Sequence, residues 1–338
     1  MSISRYLIRR ISGLIPILIG ILVITFIIAR IIPGDPAALY AGPQHSDPET
    51  LNRIREMMGL NKPIHEQLID YIVNFFVGNW GFAWHTGHTV IEELARRFPV
   101  TLELSLLSMF FAITVGVLLG VLSAIKHETK IDYIIRGIAF TGIGIPSFWL
   151  GLLLIFTLGY SFELLPLGGL ITPTLKPPPR ITGLLLLDSL LNGNINVFID
   201  VLTHLIMPVF CLGYGLLAHI IRLTRVSVLE ILQEPYISVA KAKGLPKRVV
   251  LFKHALRNAL IPLTSWSGMT FGYLLGGSIA IEYIFGIPGI GSFIYESIIY
   301  LDYAPILASV LIMVIIYFII NFIVDILYAI LDPRIRLR

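Results

Sequence analysis

The chain has 338 residues, of which 56% are hydrophobic and only 14% are charged, and its mean hydropathy is +0.85. Because soluble domains carry about 25% charged residues, this composition excludes an ordinary soluble fold and favours a protein with several membrane-spanning helices. The net charge of +4 is modest and is better explained by basic residues gathered in particular loops than by a nucleic-acid partner. The only cysteine, Cys211, excludes an intramolecular disulfide and a cysteine-based zinc site.

The first apolar run covers residues 11–29 and follows Arg5, Arg9 and Arg10. About 20 helical residues cross the hydrocarbon core of a bilayer, so this run is long enough to span it. A cleaved secretory signal has the same order of basic and apolar residues, but no small-residue cleavage site follows this run. The pattern therefore favours an uncleaved first transmembrane helix whose N-terminus lies in the cytoplasm.

Residues 33–98 form a long region that is too polar to span a membrane. Pro48 and Pro63 mark helix starts within it. Apolar residues then recur at helical spacing between Ile64 and Phe76, which predicts an amphipathic helix lying on the membrane or on the rest of the protein.

Five further apolar stretches follow, and together with the first they predict six transmembrane helices. They cover roughly 100–125, 133–158, 201–221, 260–281 and 304–330. The apolar stretch 181–191 is too short to cross and is predicted to be interfacial or re-entrant.

The predicted fold is an all-α polytopic membrane protein with both termini on one side. We divide it into an N-terminal tail with the first transmembrane helix (1–32), an extracytoplasmic segment with an amphipathic helix (33–98), and a five-helix core (99–338) that includes a loop over residues 222–259.

The basic residues are distributed unequally between the two sets of loops. One set, together with the termini, holds 17 of the 25: Arg5, Arg9, Arg10, Lys126, Lys130, Arg136, Arg222, Arg225, Lys241, Lys243, Lys247, Arg248, Lys253, Arg257, Arg334, Arg336 and Arg338. The positive-inside rule therefore predicts that both termini and the loop 222–259 are cytoplasmic. The loop between the last two predicted spans carries acidic residues and no Lys or Arg, as expected of an external loop.

The stretch Glu234–Pro262 is the longest basic interruption in the second half of the chain. Pro235 suits the first position of a helix, Gly244 the residue after its end, and Pro246 the start of a second helix that reaches about residue 258. Such a kinked helix pair could dock into a groove of a partner protein or lie on anionic lipid headgroups. The Pro and Gly residues that bracket the first helix favour docking.

No catalytic, cofactor or metal site is predicted. The sequence contains no G-x-x-x-x-G-K-[ST] phosphate-binding loop, no H-E-x-x-H and no G-x-S-x-G, so the chain is not expected to bind and hydrolyse ATP by that route. His85 and His88 could ligate a metal, but no third ligand is evident, and an ordinary loop pair is favoured.

Two acidic residues fall near the ends of predicted spans and are candidate pore or helix-packing residues. Glu103 could line a substrate path or accept hydrogen bonds from a neighbouring helix at the interface. Asp325 could pair with an arginine and fix helix packing. We favour the structural interpretation of both.

Glycines within two predicted spans permit either close helix packing or a bent helix that lines a cavity, and the sequence leaves both open. They are Gly142 and Gly144, followed by Pro146, and Gly268, Gly272, Gly276 and Gly277.

A secondary transporter or a membrane-embedded enzyme would also be multispanning. Proton or sodium coupling needs ionisable residues near the middle of the membrane, and the predicted spans carry almost none away from their ends. An enzyme would need converging catalytic groups, and none converge in the sequence. Both classes are therefore disfavoured.

Several stretches of this sequence resemble a known family. The run AKAKGL over Ala240–Leu245 and the run HALRNALIP over His254–Pro262 resemble the cytoplasmic loop of permease subunits of ATP-binding-cassette importers, in the dipeptide/oligopeptide/nickel branch. Supporting motifs lie at Ile32–Pro36, Gly78–Gly81, Phe98–Leu104, Ile287–Gly291 and Asp325–Arg334. Against the family's general motif E-A-A-x-x-x-G…I-x-L-P, only Ala240, Gly244 and Leu256 match, and the departures are typical of the peptide branch.

The resemblance implies a permease that is not itself an enzyme, in a cell-membrane complex with a second homologous permease, two cytoplasmic ATP-binding subunits and an extracytoplasmic solute-binding protein. It implies a pore switched by a coupling helix that inserts into an ATPase subunit. The residues it suggests for docking are Tyr236, Ala240 and Gly244. Lys243, Lys247 and Arg248 are added on their charge alone, and Glu234 completes the set. Peptides are the expected substrates, with oligosaccharides or nickel complexes as alternatives.

Overall fold

The computed structural model describes residues 3–41, 47–275 and 279–331, and the side chains of 12–41, 47–264, 266–275 and 279–324. In the first half the helices are α1 Ile3–Ile31, α2 Pro36–Ala41, α3 Pro48–Met57, α4 Ile64–Val77, α5 Val90–Ile125, α6 Lys130–Gly144 and α7 Ser147–Leu154, the last continued by a π-helical turn over Ile155–Ser161. In the second half they are α8 Leu185–Leu191, α9 Ile195–Leu232, α10 Pro235–Ala242, α11 Lys247–Val249, a π-helical turn over Val250–Ala255, α12 Leu256–Ala259, α13 Ile261–Leu275, α14 Ile279–Ile284, α15 Ile290–Ile299 and α16 Tyr303–Leu331.

Four of the described helices are long and apolar enough to cross a membrane, namely those containing Ser12–Ile31, Val90–Ile125, Ile195–Leu232 and Tyr303–Val324. The pair α6 and α7 is a fifth candidate, although it bends by 102°. These spans confirm an all-α polytopic membrane protein. They do not confirm six transmembrane helices, because α13 has only 15 residues, or about 22 Å of helix, and residues 276–278 beyond it, including Gly276 and Gly277, lie outside the described residues.

The predicted third span, 133–158, is broken rather than continuous. Ile145 and Pro146 have extended backbone between α6 and α7. A residue before proline disfavours the α conformation, and proline has no N–H for the preceding turn. A Cβ at Gly142 would lie 2.9 Å from that of Ala218, so this glycine allows α6 to pack closely against α9.

Helices α5 and α9 lie along each other at the centre of the bundle, with α6, α7 and α8 packed against α9. A Cβ at Gly116 would lie 2.7 Å from Ile220, and one at Gly120 would lie 2.7 Å from Thr224. Small residues of this kind let the backbones of membrane helices approach closely. The same applies where α13 meets α16, since a Cβ at Gly272 would lie 2.8 Å from the Tyr317 ring.

Helix α5 begins ten residues before the predicted span, at Val90. Thr89 and Glu92 form a capping box at its start. Pro99 lies inside the helix and cannot donate an N–H to the carbonyl of Ala95, four residues earlier. Arg180 Nη2 donates to that carbonyl instead, at 2.6 Å, which explains how the helix continues through the proline.

The amphipathic helix predicted within 33–98 is α4. Its Phe75 is buried in a cluster with Leu18 and Leu22 of α1 and Leu311 of α16. The sequence did not predict the short antiparallel hairpin that follows, in which β1 (Phe82–Ala83) pairs with β2 (His88–Thr89). We call the end of the bundle with α10–α12 the basic end, and the end with α2–α4 and this hairpin the opposite end.

Candidate coupling segment

Residues Glu234–Pro262, called the coupling segment below, form the kinked helix pair that the sequence predicted. Glu234 has extended backbone and Pro235 occupies the first turn of α10, where its missing N–H costs nothing. Gly244 adopts a left-handed φ of +73°, the conformation that commonly ends a helix. Pro246 then precedes α11, and the π-helical turn and α12 carry the chain back towards the membrane.

The inner face of α10 is buried against the rest of the coupling segment. Ile237 and Ala240, three residues apart, form a cluster with Val250 and Ala255 of the π-helical turn, beside the last turn of α9. Ala240 is only 7% exposed. Ala240 therefore faces inward in this conformation, because its helical spacing from Ile237 places both on the same face. Its role in docking stays a prediction.

The outer face of α10 is exposed and mixes apolar with basic side chains. Tyr236, Val239 and Lys243 are spaced three and four residues apart and so share this face. Tyr236 is 41% exposed and Val239 is 54% exposed. Asn258 Nδ2 donates to Tyr236 Oη at 2.8 Å, which fixes the tyrosine ring against the return helix α12.

Beyond Gly244 the exposed surface continues over α11 and the π-helical turn. Lys247 and Arg248 are exposed there, with Leu245 and Phe252 beside them. The coupling segment contains no acidic residue after Glu234, which is itself exposed. Among the described residues, none of its Lys or Arg side chains forms an ion pair. The segment thus presents a positive, partly apolar surface that suits an acidic groove with an apolar floor.

The return arm of the coupling segment is packed onto the two central helices. Ala259 of α12 is buried in a cluster with Val121 and Ala124 of α5 and Val228 of α9, with Leu256 packed alongside. Closely packed side chains therefore connect α10, through the π-helical turn and α12, to the ends of α5 and α9.

A buried ion pair ties three helices together at this basic end. Arg225 of α9 donates from Nε and Nη2 to the two carboxylate oxygens of Asp132, at 2.8 and 2.9 Å. Ser123 Oγ of α5 donates to the same carboxylate at 2.5 Å, and the Glu128 N–H does so at 3.0 Å. Reasoning from sequence missed this cluster because its members are up to 102 residues apart.

Of the two candidate pore or packing residues, the structure describes the side chain of Glu103 only. Glu103 is buried, and its carboxylate accepts hydrogen bonds from the N–H groups of Leu185 and Leu186 at 2.9 and 2.8 Å. It therefore holds the first turn of α8, where unpaired N–H groups favour an anion. The backbone at Asp325 belongs to α16, but its side chain lies outside the described residues.

The two histidines of the H-T-G-H motif lie in different environments. The side chain of His85 is buried, with Nδ1 2.8 Å from Asp302 Oδ2, whereas His88 is exposed on β2. Within the described residues no three His, Cys, Asp or Glu side chains are grouped to hold a metal ion.

Sequence reasoning also missed three exposed apolar residues of the coupling segment: Val239, Leu245 and Phe252. A helical wheel anchored on Ile237 and Ala240 as the inner face would have placed Val239 outside. Together these features define a membrane protein whose helix bundle is packed against a short basic helix with an exposed outer face.

Comparison with known proteins identifies the family. Residues 116–337 match the family model described as binding-protein-dependent transport system inner membrane component, and residues 3–105 match the model of its N-terminal region. The probable D,D-dipeptide transport system permease protein DdpB of Escherichia coli is 40% identical over 97% of this chain and 96% of its own length. The di/tripeptide permease DppB of Pseudomonas aeruginosa is 39% identical over 98% of each chain. The oligopeptide permease AppB of Bacillus subtilis is 38% identical over 98% of this chain and 99% of its own length.

The chain belongs to the inner membrane components of binding-protein-dependent transport systems. It is a multi-pass cell-membrane protein and a permease subunit of an ATP-binding-cassette importer. The ATPase of such an importer is a separate subunit, so this chain is not an enzyme.

Proposed function

We propose that this permease forms the translocation pore of an importer for di- and oligopeptides. The observation that carries the proposal is the 38–40% identity, over nearly the whole chain, to permeases whose names specify dipeptide, tripeptide or oligopeptide transport. Oligosaccharides or nickel complexes, the alternatives from the family resemblance, are outcomes of the substrate test below.

The proposed complex contains a second homologous permease, two cytoplasmic ATP-binding subunits and an extracytoplasmic solute-binding protein. Dependence on a binding protein is supported by the family's description. A separate source of ATP hydrolysis is supported by the absence of a G-x-x-x-x-G-K-[ST] motif from the full sequence.

In the proposed topology the chain crosses the membrane six times, with α13 and α14 in the fifth crossing and the basic end in the cytoplasm. The unequal distribution of Lys and Arg supports this orientation. Contacts at the opposite end agree with it, because Asp302 and Glu296 in the connection before α16 pair with His85 and Arg97, as expected if both segments lie on one side.

The proposed coupling step begins at the outer face of α10. Closure of the ATP-binding subunits around ATP displaces Tyr236, Val239 and Lys243 together with the cleft that holds them. The buried contacts of Ile237 then move the π-helical turn, and α12 passes the displacement to α5 and α9. The proposed docking surface also includes Glu234, Gly244, Lys247 and Arg248. Ala240 packs beneath this surface.

The substrate assignment is tested with the assembled importer and its binding protein in proteoliposomes. We expect ATP-dependent uptake of a labelled dipeptide that excess unlabelled dipeptide abolishes and that an oligosaccharide or a nickel chelate leaves unchanged. ATP-dependent uptake of the oligosaccharide or of nickel, without dipeptide uptake, would assign the alternative substrate and contradict the proposal.

Coupling through α10 is tested by Gly244→Val in the same assay. A Cβ at Gly244 would meet nothing within 4 Å, but φ +73° disfavours a β-branched residue, so the turn must change and α10 must move. We expect uptake to fall at least tenfold, with substrate-stimulated ATP hydrolysis lost as well. The matched control is Gly193→Val, since Gly193 also has positive φ and open space but lies in the turn between α8 and α9. Equal uptake by the Gly244 variant and the wild type would refute coupling through this turn.

A further inference from the structure

A cavity of about 690 Å³ lies at the opposite end of the bundle, far along the chain from the coupling segment. Its walls come from the end of α1, the turn between α3 and α4, the hairpin, and the connection that leads into α16. We call it the outer pocket. Its volume falls within the range of about 300–1,000 Å³ that is typical of small-molecule sites.

Unpartnered polar atoms are concentrated around the outer pocket. Among the described residues, six buried side-chain nitrogen or oxygen atoms have no hydrogen-bond partner, and three of them belong to residues that line this pocket: Arg30 Nε, Tyr71 Oη and His85 Nε2. A buried polar atom without a partner is costly and is uncommon in folded proteins. Their grouping shows that the residues around this cavity are not fully satisfied by the chain's own hydrogen bonds.

Arg30 is a cation held in place without a counterion. Its guanidinium lies 4.1 Å from the centre of the Tyr303 ring and 5.1 Å from that of Phe26, and Nη2 donates to Gln67 Oε1. No carboxylate pairs with it among the described residues. The planar guanidinium donates two parallel N–H groups, which match a carboxylate.

The other cation of the pocket wall is already paired. Lys62 Nζ lies 2.5 Å from Asp70 Oδ2, and this hydrogen bond raises the pKa of Lys62. Glu56, which also lines the pocket, is exposed and has no ion-pair partner among the described residues. The wall thus offers one free positive and one free negative group, which suits a zwitterion better than a doubly charged phosphate.

His85 forms a fixed part of the pocket wall. Its side chain is only 5% exposed, and Nδ1 is engaged with Asp302 Oδ2. Tyr300 stacks on the ring at 5.5 Å and holds its orientation.

We propose that the outer pocket binds a free, zwitterionic short peptide whose terminal carboxylate is held by Arg30. The size of the cavity, the unpaired guanidinium and the mixed charge of the wall carry this inference, which rests on the proposed peptide transport. The pocket is a binding site on the permease itself and does not require the solute-binding protein.

The test measures equilibrium binding by titration calorimetry to the assembled importer in lipid nanodiscs, without ATP and without the binding protein. The ligands are alanyl-phenylalanine and the same dipeptide with an amidated C-terminus. We expect the amide to bind at least about tenfold more weakly, since a hydrogen-bonded charge is lost. Equal affinity for the two ligands would overturn the proposal.

Arg30→Gln should weaken binding of the free acid at least about tenfold and leave the amide unchanged, because the lost charge pair is the same one. Arg53→Gln is the matched control, since Arg53 lies on α3 with a side chain that is 70% exposed and does not line the pocket. If Arg30→Gln does not assemble, Arg30→Lys keeps the charge and loses the paired donors, and it should give an intermediate affinity. Unchanged acid affinity in the assembled Arg30 variant would overturn the proposal.

Two further experiments distinguish a peptide from other ligands of the outer pocket. Competition by glycerol 1-phosphate at concentrations where acetate has no effect would assign the site to a lipid headgroup and overturn the proposal. Weaker docking of the binding protein to Arg30→Gln, without dipeptide binding to the wild type, would assign it to that protein and overturn it also. If the importer takes up dipeptide but calorimetry shows no binding at the outer pocket, only this inference fails. If calorimetry shows binding that needs the free carboxylate but no dipeptide is taken up, only the proposed function fails.

Discussion

The Asp132 side chain joins three helices at the basic end. Its carboxylate is 1% exposed and accepts hydrogen bonds from Arg225 of α9, Ser123 of α5 and the Glu128 backbone. Buried charges persist only when they are paired and hydrogen-bonded. The cluster therefore fixes the ends of α5, α6 and α9, to which the coupling segment is attached.

Asp132→Asn should destabilise the permease by about 1–3 kcal/mol, because it leaves the Arg225 guanidinium, whose side chain is 15% exposed, without a counterion. Thermal unfolding of the assembled importer in detergent measures the effect. Glu49→Gln, which removes an exposed pair with Arg53, is the control and should leave the transition unchanged. A transition for Asp132→Asn that matches the wild type would show that the ion pair does not hold these helices.

The sequence predicted what individual side chains do better than it predicted which residues they contact. Glu103 was expected to accept hydrogen bonds from a neighbouring helix, and its carboxylate does so at the start of α8. The sequence could not name α8, because the contact joins residues more than 80 positions apart. The docking role of Ala240 stays a prediction, since the motif identified the residue but not that its side of α10 packs inward.

At the scale of elements, hydropathy located the membrane cores of the helices and missed their ends. Helix α5 has 36 residues, which is about 54 Å of helix and well beyond a hydrocarbon core of about 30 Å. The apolar window therefore predicted a start at residue 100, whereas the T-x-x-E capping box at Thr89 marked the start at Val90.

The break between α6 and α7 follows from local chemistry that apolar content does not report. Gly144 and Pro146 were recognised as compatible with either tight packing or a bend, and the structure has both: Gly142 packs against α9 and the chain bends at Ile145. The hairpin of two-residue strands was not predicted, because so short a ladder leaves no periodic pattern in the sequence.

At the scale of the whole molecule, the proposed orientation predicts which surfaces face each side of the membrane. Asn61 lies in the exposed turn before α4, and Lys126 lies in the exposed turn after α5 at the basic end. Cys211 is buried, so it gives little background labelling. In intact cells an impermeant thiol reagent should label Asn61→Cys, and it should label Lys126→Cys only after lysis. The reverse pattern would contradict the orientation.

The proposed coupling requires α10 to contact an ATP-binding subunit. The direct measurement is photo-crosslinking from benzoylphenylalanine placed at Val239, on the exposed outer face of α10, in the assembled importer. Asn61 at the opposite end is the control position. We predict a covalent adduct with the ATP-binding subunit from position 239 and none from position 61. Absence of that adduct from position 239, in a complex that still imports its substrate, would contradict the account.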